Sequence, residues 1–181
     1  MLCLLNKPTG MTKRTLMLKV IENFISEQEE KDILSIIRPT TVKRSNERNT
    51  VVRYGSSLPY KASLKSEIIP DHYARICERI HSLGYDLPDS VSINEYLRTQ
   101  SIDWHIDSLT SGPVIIVLSL MSSANMGLRN TKTNENQTIT LPQRSLLILS
   151  EEHRYEWEHC VYPVENHRFS IVFRKGTHVN I

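Results

Sequence analysis

His105-Ile106-Asp107, a single His159 and the alternating run Arg168-Phe169-Ser170-Ile171-Val172-Phe173-Arg174 follow one another in the C-terminal half of the chain. They can act together only if the strands that carry them lie side by side. Residues two apart on an extended strand project from the same face, so His105 and Asp107 can grip one metal ion from one side. His159, much further along, must reach that ion from a later strand. Two histidines and one carboxylate on one face of a metal leave its other positions open, the donor set of non-haem Fe(II) centres that take a cosubstrate and oxygen. A His-x-Asp triplet alone arises often by chance; the ordered set is far more restrictive.

The arginine run adds an anion to this expectation. Arg168, Ser170 and Arg174 alternate with Phe169, Ile171 and Phe173, one polar and one apolar face of a strand. A guanidinium is a rigid, permanently charged fork that matches a carboxylate with two hydrogen bonds. Buried groups of this kind persist only when paired. Facing a pocket beside the metal, they predict a dicarboxylate bound at both ends. The alternative is a basic edge strand with a solvated face.

With these residues the chain resembles the AlkB-like Fe(II)/2-oxoglutarate dioxygenases. The resemblance runs from Ser92-Ile93-Asn94-Glu95-Tyr96 through His105-Ile106-Asp107, Gly112-Pro113-Val114-Ile115 and Leu118-Ser119-Leu120. It continues in Leu141 to Ser150, Arg154-Tyr155, Trp157-Glu158-His159 and the closing Arg-x-Ser-x-x-x-Arg. It implies Fe(II) on His105, Asp107 and His159, with 2-oxoglutarate and O2 as cosubstrates and ascorbate as a reductant in vitro. It implies Asn94 and Tyr96 as 2-oxoglutarate contacts, Arg168 with Ser170 at the distal carboxylate, and Arg174 near the carboxylate that chelates iron. The activity implied is hydroxylation of a C–H bond, or demethylation where that carbon is an N-methyl group. The stretch from Leu141 to His159 is most similar to members that hydroxylate the wobble-uridine side chain of tRNA, and to a member assigned to methyl-lysine in protein. Two features depart from the family. Leu109 stands where DNA-repair members carry an acid that helps read the damaged base, and Arg98-Thr99-Gln100-Ser101 replaces a glycine-rich turn. Both bear on substrate rather than on iron or cosubstrate.

Composition is that of an ordinary globular chain, with 181 residues, 39% hydrophobic and 23% charged. That length suits one domain over 1–181, read as helical support and substrate lid over 1–90 and a catalytic core over 91–175. A net charge of +2 gives no global argument for nucleic-acid binding. No apolar run is long enough to span a bilayer, so no membrane partner is expected. Met1 to Leu5 is too short for a signal-peptide core. Residues 1–21 hold four basic and no acidic residues, a composition like a transit segment, although Leu16 to Ile21 reads better as a first strand. Three cysteines cannot all pair and lack zinc spacing. The expectation is an intracellular, cytoplasmic or nuclear protein, with mitochondrial import the weaker alternative. Oligomeric state is left open.

Ser26-x-x-Glu29 is a capping box ahead of the helical spacing Ile33, Leu34, Ile36 and Ile37, with Pro39 as its stop. Pro70 can open a second helix to about Leu83, with Tyr73, Ile76, Cys77 and Ile80 on one face. From Val91 onward short β runs follow, at 91–97, 113–121, 137–141, 144–149, 158–162 and 168–174. Asn125 to Asn136 reads as a surface hairpin or loop. The fold class expected is α+β, mainly β: a double-stranded β-helix, or jelly roll, buttressed by N-terminal helices.

Substrate is expected at the segment from Arg38 to Lys65. It carries Lys43, Arg44, Arg48, Arg53, Lys61 and Lys65 against one acid, Glu47, with Tyr54 and Tyr60 interleaved. Cations can track phosphates while tyrosines stack on unpaired bases, which suits RNA or single-stranded DNA. In the family this region forms a lid. A methylated lysine peptide could use the same tyrosines through cation–π contacts, so a protein substrate stays open, as does a plain solvated loop. Trp157 shares strand parity with His159 and is placed at the pocket mouth, whereas Trp104 faces away from the ligands, toward core. His153 and His167 are candidates to support the metal ligands, and Cys160 reads as small buried packing. A non-catalytic jelly-roll binding module is the remaining, weaker reading.

Overall fold

The computed structural model describes residues 18–37, 50–56 and 67–177. Among the described residues ten strands and three helices follow in the order β1 (Leu18–Ile21), α1 (Glu27–Ile36), β2 (Thr50–Gly55), α2 (Asp71–Ser82), β3 (Ser90–Tyr96), β4 (Ile102–His105), β5 (Val114–Leu120), β6 (Ala124–Asn130), β7 (Asn136–Leu141), β8 (Leu146–Ser150), α3 (Glu151–Tyr155), β9 (Trp157–Val161) and β10 (Arg168–Arg174). They form a six-stranded sheet, β1-β8-β5-β10-β3-β2, and a four-stranded sheet, β4-β9-β6-β7, antiparallel wherever strands pair. This is the expected jelly roll with helices on one side.

Strand parity divides the core in two. On β10 the residues Phe169, Ile171 and Phe173 face away from the smaller sheet and join Ile93 of β3, Ile116 and Leu118 of β5, and the helices. Val172, with Tyr96, Val117, Leu147 and Leu149, faces the smaller sheet and meets Met126, Leu128 and Val161 there. Each sheet face thus has one partner layer, and the space between the sheets is where the polar residues of β10 and β3 emerge.

The helices form where the spacing places them. Ser26 Oγ accepts from the Glu29 amide at 3.2 Å while Glu29 Oε2 accepts from the Ser26 amide at 2.7 Å, the reciprocal capping box. Tyr73, Ile76, Cys77 and Ile80 are the buried stripe of α2, which starts one residue after Pro70. Glu30 of α1 is 5% exposed and is satisfied by the Met121 amide at 2.7 Å and Gln143 Nε2 at 2.8 Å, so it ties the helix to two turns of the barrel rim.

Two expectations change here. Asn125 to Asn136 is a hairpin, but its first arm is β6, which holds the middle of the smaller sheet between β9 and β7. Its asparagines hid a strand, because Met126 and Leu128 are its only large apolar residues on the inner face. The segment expected as a lid contributes β2, an edge strand paired to β3 from Thr50↔Glu95 to Gly55↔Ser90. Residues 38–49 and 57–66, with Lys43, Arg44, Arg48, Tyr60, Lys61 and Lys65, lie outside the described residues. Among the described residues no helix is long and apolar enough to cross a membrane.

Gly112 closes the loop after β4 with φ +84°, and a Cβ there would lie 1.9 Å from the Lys175 carbonyl oxygen. Gly112→Ala is expected to destabilise the protein by at least about 2 kcal/mol, lowering the thermal midpoint by roughly 5 °C or more. A midpoint equal to wild type in a calorimetric scan would contradict this placement.

Candidate active site

Four strands bring the candidate ligands to one place. His105 ends β4 and stands directly opposite His159 on β9, with ring centroids 4.3 Å apart. Asp107 follows two residues after His105 and is 9% exposed. A cavity of about 440 Å³ opens between the sheets here, and all three residues line it together with Asn94, Tyr96, Arg168, Ser170 and Arg174. Every expected metal and cosubstrate residue therefore faces one space. Its floor is apolar, from Ile115, Val117, Met126, Leu141 and Val172.

The protonation states suit metal binding. His105 Nδ1 lies 2.8 Å from the Asp103 carbonyl oxygen, which can only accept, so Nδ1 carries the proton and Nε2 keeps its lone pair for a metal. Burial pushes the His159 imidazole down to about 4, leaving it neutral, the form a metal ligand needs, at physiological pH. Burial, the largest single influence, would raise the Asp107 carboxyl, but the Arg174 guanidinium together with His159 and His105 holds the group below its ordinary range. Arg174 Nη2 donates to Asp107 Oδ1 at 3.0 Å and its Nη1 to Ser92 Oγ at 3.3 Å. Among the described residues no three His, Cys, Asp or Glu side chains stand, as they are placed, so that they could hold a metal ion together. Asp107 is turned onto Arg174, and a metal would share or compete for that carboxylate.

Arg168 carries the test for an anion. It is 0% exposed, donates from Nη2 to Ser119 Oγ at 2.9 Å, and lies 5.3 Å from the Tyr96 ring centre. Its Nε and Nη1 have no hydrogen-bond partner among the described residues, and neither does Arg174 Nε. A buried guanidinium with open N–H groups costs several kcal/mol unless an anion meets it. Asn94 and Ser170 adjoin it from paired positions on β3 and β10, with Asn94 Nδ2 3.4 Å from Ser170 Oγ. Two histidines and one carboxylate beside two under-satisfied arginines fit an Fe(II) ion and a dicarboxylate.

The substrate residues divide. Arg53 lines the cavity, because it has the parity of Ser92 and Asn94 across the ladder. Tyr54, the next residue, must point the other way; it is buried against Tyr73 of α2, with ring centres 5.8 Å apart, and is core rather than substrate contact. Trp157 shares the His159 face as expected but lies two residues back toward α3. There it is 6% exposed, stacked on His153 at 4.7 Å and bonded through Nε1 to Glu152 at 3.0 Å, so it is not at the mouth. His153 is thereby occupied away from the ligands, and His167 bonds Glu95 at 3.0 Å. Neither supports the metal residues.

Trp104 also departs from the expected core position. It faces away from the ligands but packs on the outer side of the smaller sheet, where its indole and Tyr162 meet edge-on at 6.4 Å and Arg129 lies 4.5 Å above it. Gly127 leaves room for these rings, since a Cβ there would lie 2.7 Å from the Trp104 ring and 2.9 Å from Cys160 Sγ. Cys160 is buried on this outer side, back to back with His159. Asp103, two residues before His105 on the same face, borders the cavity, and so does Trp104, next to the irregular stretch of the β4 ladder between Ile102 and His105. Three supporting residues were not singled out for these contacts in the sequence: Ser92, Ser119 and Arg154, whose polar partners belong to other segments.

Comparisons with known proteins converge on the same chemistry. Residues 41–174 match the 2OG-Fe(II) oxygenase superfamily. The chain is 31% identical over 161 residues to mouse tRNA (carboxymethyluridine(34)-5-O)-methyltransferase ALKBH8, covering 81% of this chain and 24% of that protein. It is 26% identical over 173 residues to the Caenorhabditis elegans DNA N6-methyl adenine demethylase, covering 88% of this chain and 60% of that one. It therefore spans about a quarter of the ALKBH8 relatives. The solved structure of OsALKBH1 superposes with a TM-score of 0.65 at 14% identity, over 88% of this chain and 98% of that one, a likeness of fold.

The state of His159 has a measurable consequence. An unfolded histidine takes up a proton near pH 6.5, the folded one only near 4, so its contribution to stability is full above the upper value and is lost as pH falls to the lower. In metal-free protein this loss is on the order of 3 kcal/mol. The thermal midpoint should decline across that window, and His159→Gln should flatten the decline. Identical curves for wild type and variant would contradict a buried neutral imidazole.

Proposed function

Because this chain belongs to the 2OG-Fe(II) oxygenase superfamily, on its AlkB-like branch, we propose that it is a dioxygenase that hydroxylates or oxidatively demethylates nucleic acid. Members take Fe(II), 2-oxoglutarate and O2. The substrate class is an unpaired base of RNA or single-stranded DNA, alkylated or otherwise modified. The reading includes an intracellular setting, in keeping with the free, buried Cys77 and Cys160.

One observation carries the substrate class. Among the described residues, the charged groups on the cavity wall outside the assigned metal and dicarboxylate set are Arg53 from β2 and Asp103 from β4, with Val51, Ile102 and Trp104 beside them. A flat base fits such a mouth: its N–H edge can donate to Asp103, while its carbonyl or a flanking phosphate accepts from Arg53. Leu109, 65% exposed, leaves the base-reading position of DNA-repair members without an acid, and Asp103 on the preceding strand β4 supplies one at the cavity. The names of the relatives given above, acting on tRNA and on DNA, support the same class. A methylated lysine would suit Asp103 alone and would meet Arg53 as a like charge.

Bound iron, with 2-oxoglutarate and oxygen, supplies the oxidation of a C–H bond. The chain's residues do the rest. His105, Asp107 and His159 would hold the ion; Arg168 with Ser170, and Arg174, would orient the cosubstrate carboxylates. Ile115, Val117 and Val172 keep water from the cavity floor, and Arg53 and Asp103 present the target carbon.

Two measurements test this reading. Succinate formation from 2-oxoglutarate, with Fe(II), ascorbate and oxygen, should rise on adding a tRNA pool or methylated single-stranded DNA. Turnover that neither polymer stimulates, but a methylated histone-like peptide does, would move the substrate to protein. Arg168→Lys should raise the apparent KM for 2-oxoglutarate at least roughly tenfold, because a point charge cannot reproduce the fork. Unchanged kinetics in that variant would refute the assigned role.

A further inference from the structure

Asp107 differs from the two histidines in what carries it. His105 and His159 sit on paired strands, whereas Asp107 lies past the end of β4, at the start of a loop that passes through a 3-10 turn, Leu109–Ser111, to Gly112. No ladder fixes that backbone, yet a metal ligand must be held to within about half an ångström. Arg154 does the holding. Its side chain comes from the five-residue helix α3, is 2% exposed, and donates to three carbonyl oxygens of that one loop. Nη1 reaches Asp107 O at 3.0 Å, Nη2 reaches Ser108 O at 2.6 Å and Nε reaches Gly112 O at 2.9 Å. One guanidinium therefore grips both ends of the loop at once.

A buried guanidinium is a costly way to close an ordinary turn, since three neutral carbonyls return only part of its lost hydration. The cost becomes intelligible where the loop carries a functional ligand. The same helix leads directly into β9, five residues from Arg154 to His159. We propose that Arg154 is a positioning residue for the metal site, locking the loop from Asp107 to Gly112 so that Asp107 stands with His105 and His159. It couples the two segments that supply ligands. The proposal rests on the metal-binding reading of that triad and is independent of the substrate class.

Mn(II) alone is the probe, its free concentration followed by electron paramagnetic resonance. The proteins are wild type, R154M, R154K and H105A, each checked for folding by circular dichroism. H105A should lose tight Mn(II) binding. R154M should bind Mn(II) about 10- to 100-fold more weakly, the usual effect of removing a group that orients a ligand. R154K should fall between, because an ammonium supplies donors but cannot bridge Asp107 O and Gly112 O as the fork does. At saturating Mn(II), 2-oxoglutarate affinity of the Arg154 variants should stay near wild type, which a general loss of structure would not allow. A folded R154M with wild-type Mn(II) affinity overturns the proposal. So does an equal loss of Mn(II) and 2-oxoglutarate affinity, or failure of both Arg154 variants to fold, either of which assigns the residue to general stability. Tight binding retained by H105A would overturn the metal reading itself, a result distinct from failure at Arg154 alone.

Discussion

The burial of two guanidinium groups on the central strand of the larger sheet is the constraint on which the rest of the structure depends. β10 is hydrogen-bonded on both sides, to β5 and to β3, so neither Arg168 nor Arg174 can swing to solvent. Phe169, Ile171 and Phe173 on the opposite face commit the strand to the helix-covered core, which fixes the register and turns the arginines inward. A one-residue slip would exchange the two sets and bury two guanidinium charges and a serine hydroxyl under α1 and α2. The fold therefore presents an anion site as a by-product of how its hydrophobic core is filled. The Nε and Nη1 of Arg168, without partners among the described residues, are the groups the proposed dicarboxylate would meet.

The metal residues are built on the same logic from the other sheet. His105 and His159 face each other across neighbouring strands, and the Asp103 carbonyl sets the tautomer of His105. Asp107 is the one ligand placed by side chains rather than by a ladder, with Arg174 on its carboxylate and Arg154 on its backbone. Arg174 thus touches both halves of the site, one hydrogen bond from the metal residues and on the same strand as the cosubstrate residues. Binding of ion and dicarboxylate is accordingly expected to be mutually reinforcing, since the anion relieves Arg174 as the metal claims Asp107.

Much of this was legible in the sequence where a residue's role follows from strand parity or a cap. The capping box at Ser26 and Glu29, the buried stripe of α2, and the alternation along β10 all stand where their spacing puts them. The errors came where parity was not applied or where a strand was polar. Arg53 and Tyr54 are neighbours on β2, so only one of them can face the cavity; treating both as substrate contacts ignored the alternation. Trp157 has the right parity, but a face is longer than a pocket, and two residues carry it under His153. Asp103 borders the cavity on the same face as His105, as alternation places it, whereas Trp104 reaches the rim from the opposite parity, beside the irregular stretch of the β4 ladder. Arg154 and Ser119 act on segments 42 and 49 residues distant, contacts that spacing along the chain does not encode.

The central claim is that His105, Asp107, His159, Arg168 and Arg174 form one site for a metal-chelating dicarboxylate. The most direct test is an anaerobic titration of 2-oxoglutarate into Fe(II)-loaded protein, followed in the visible spectrum. If these residues form one site, a charge-transfer band, the mark of a 2-oxo acid chelating iron, develops and saturates at one equivalent. A folded protein that holds one iron yet develops no such band would contradict the claim.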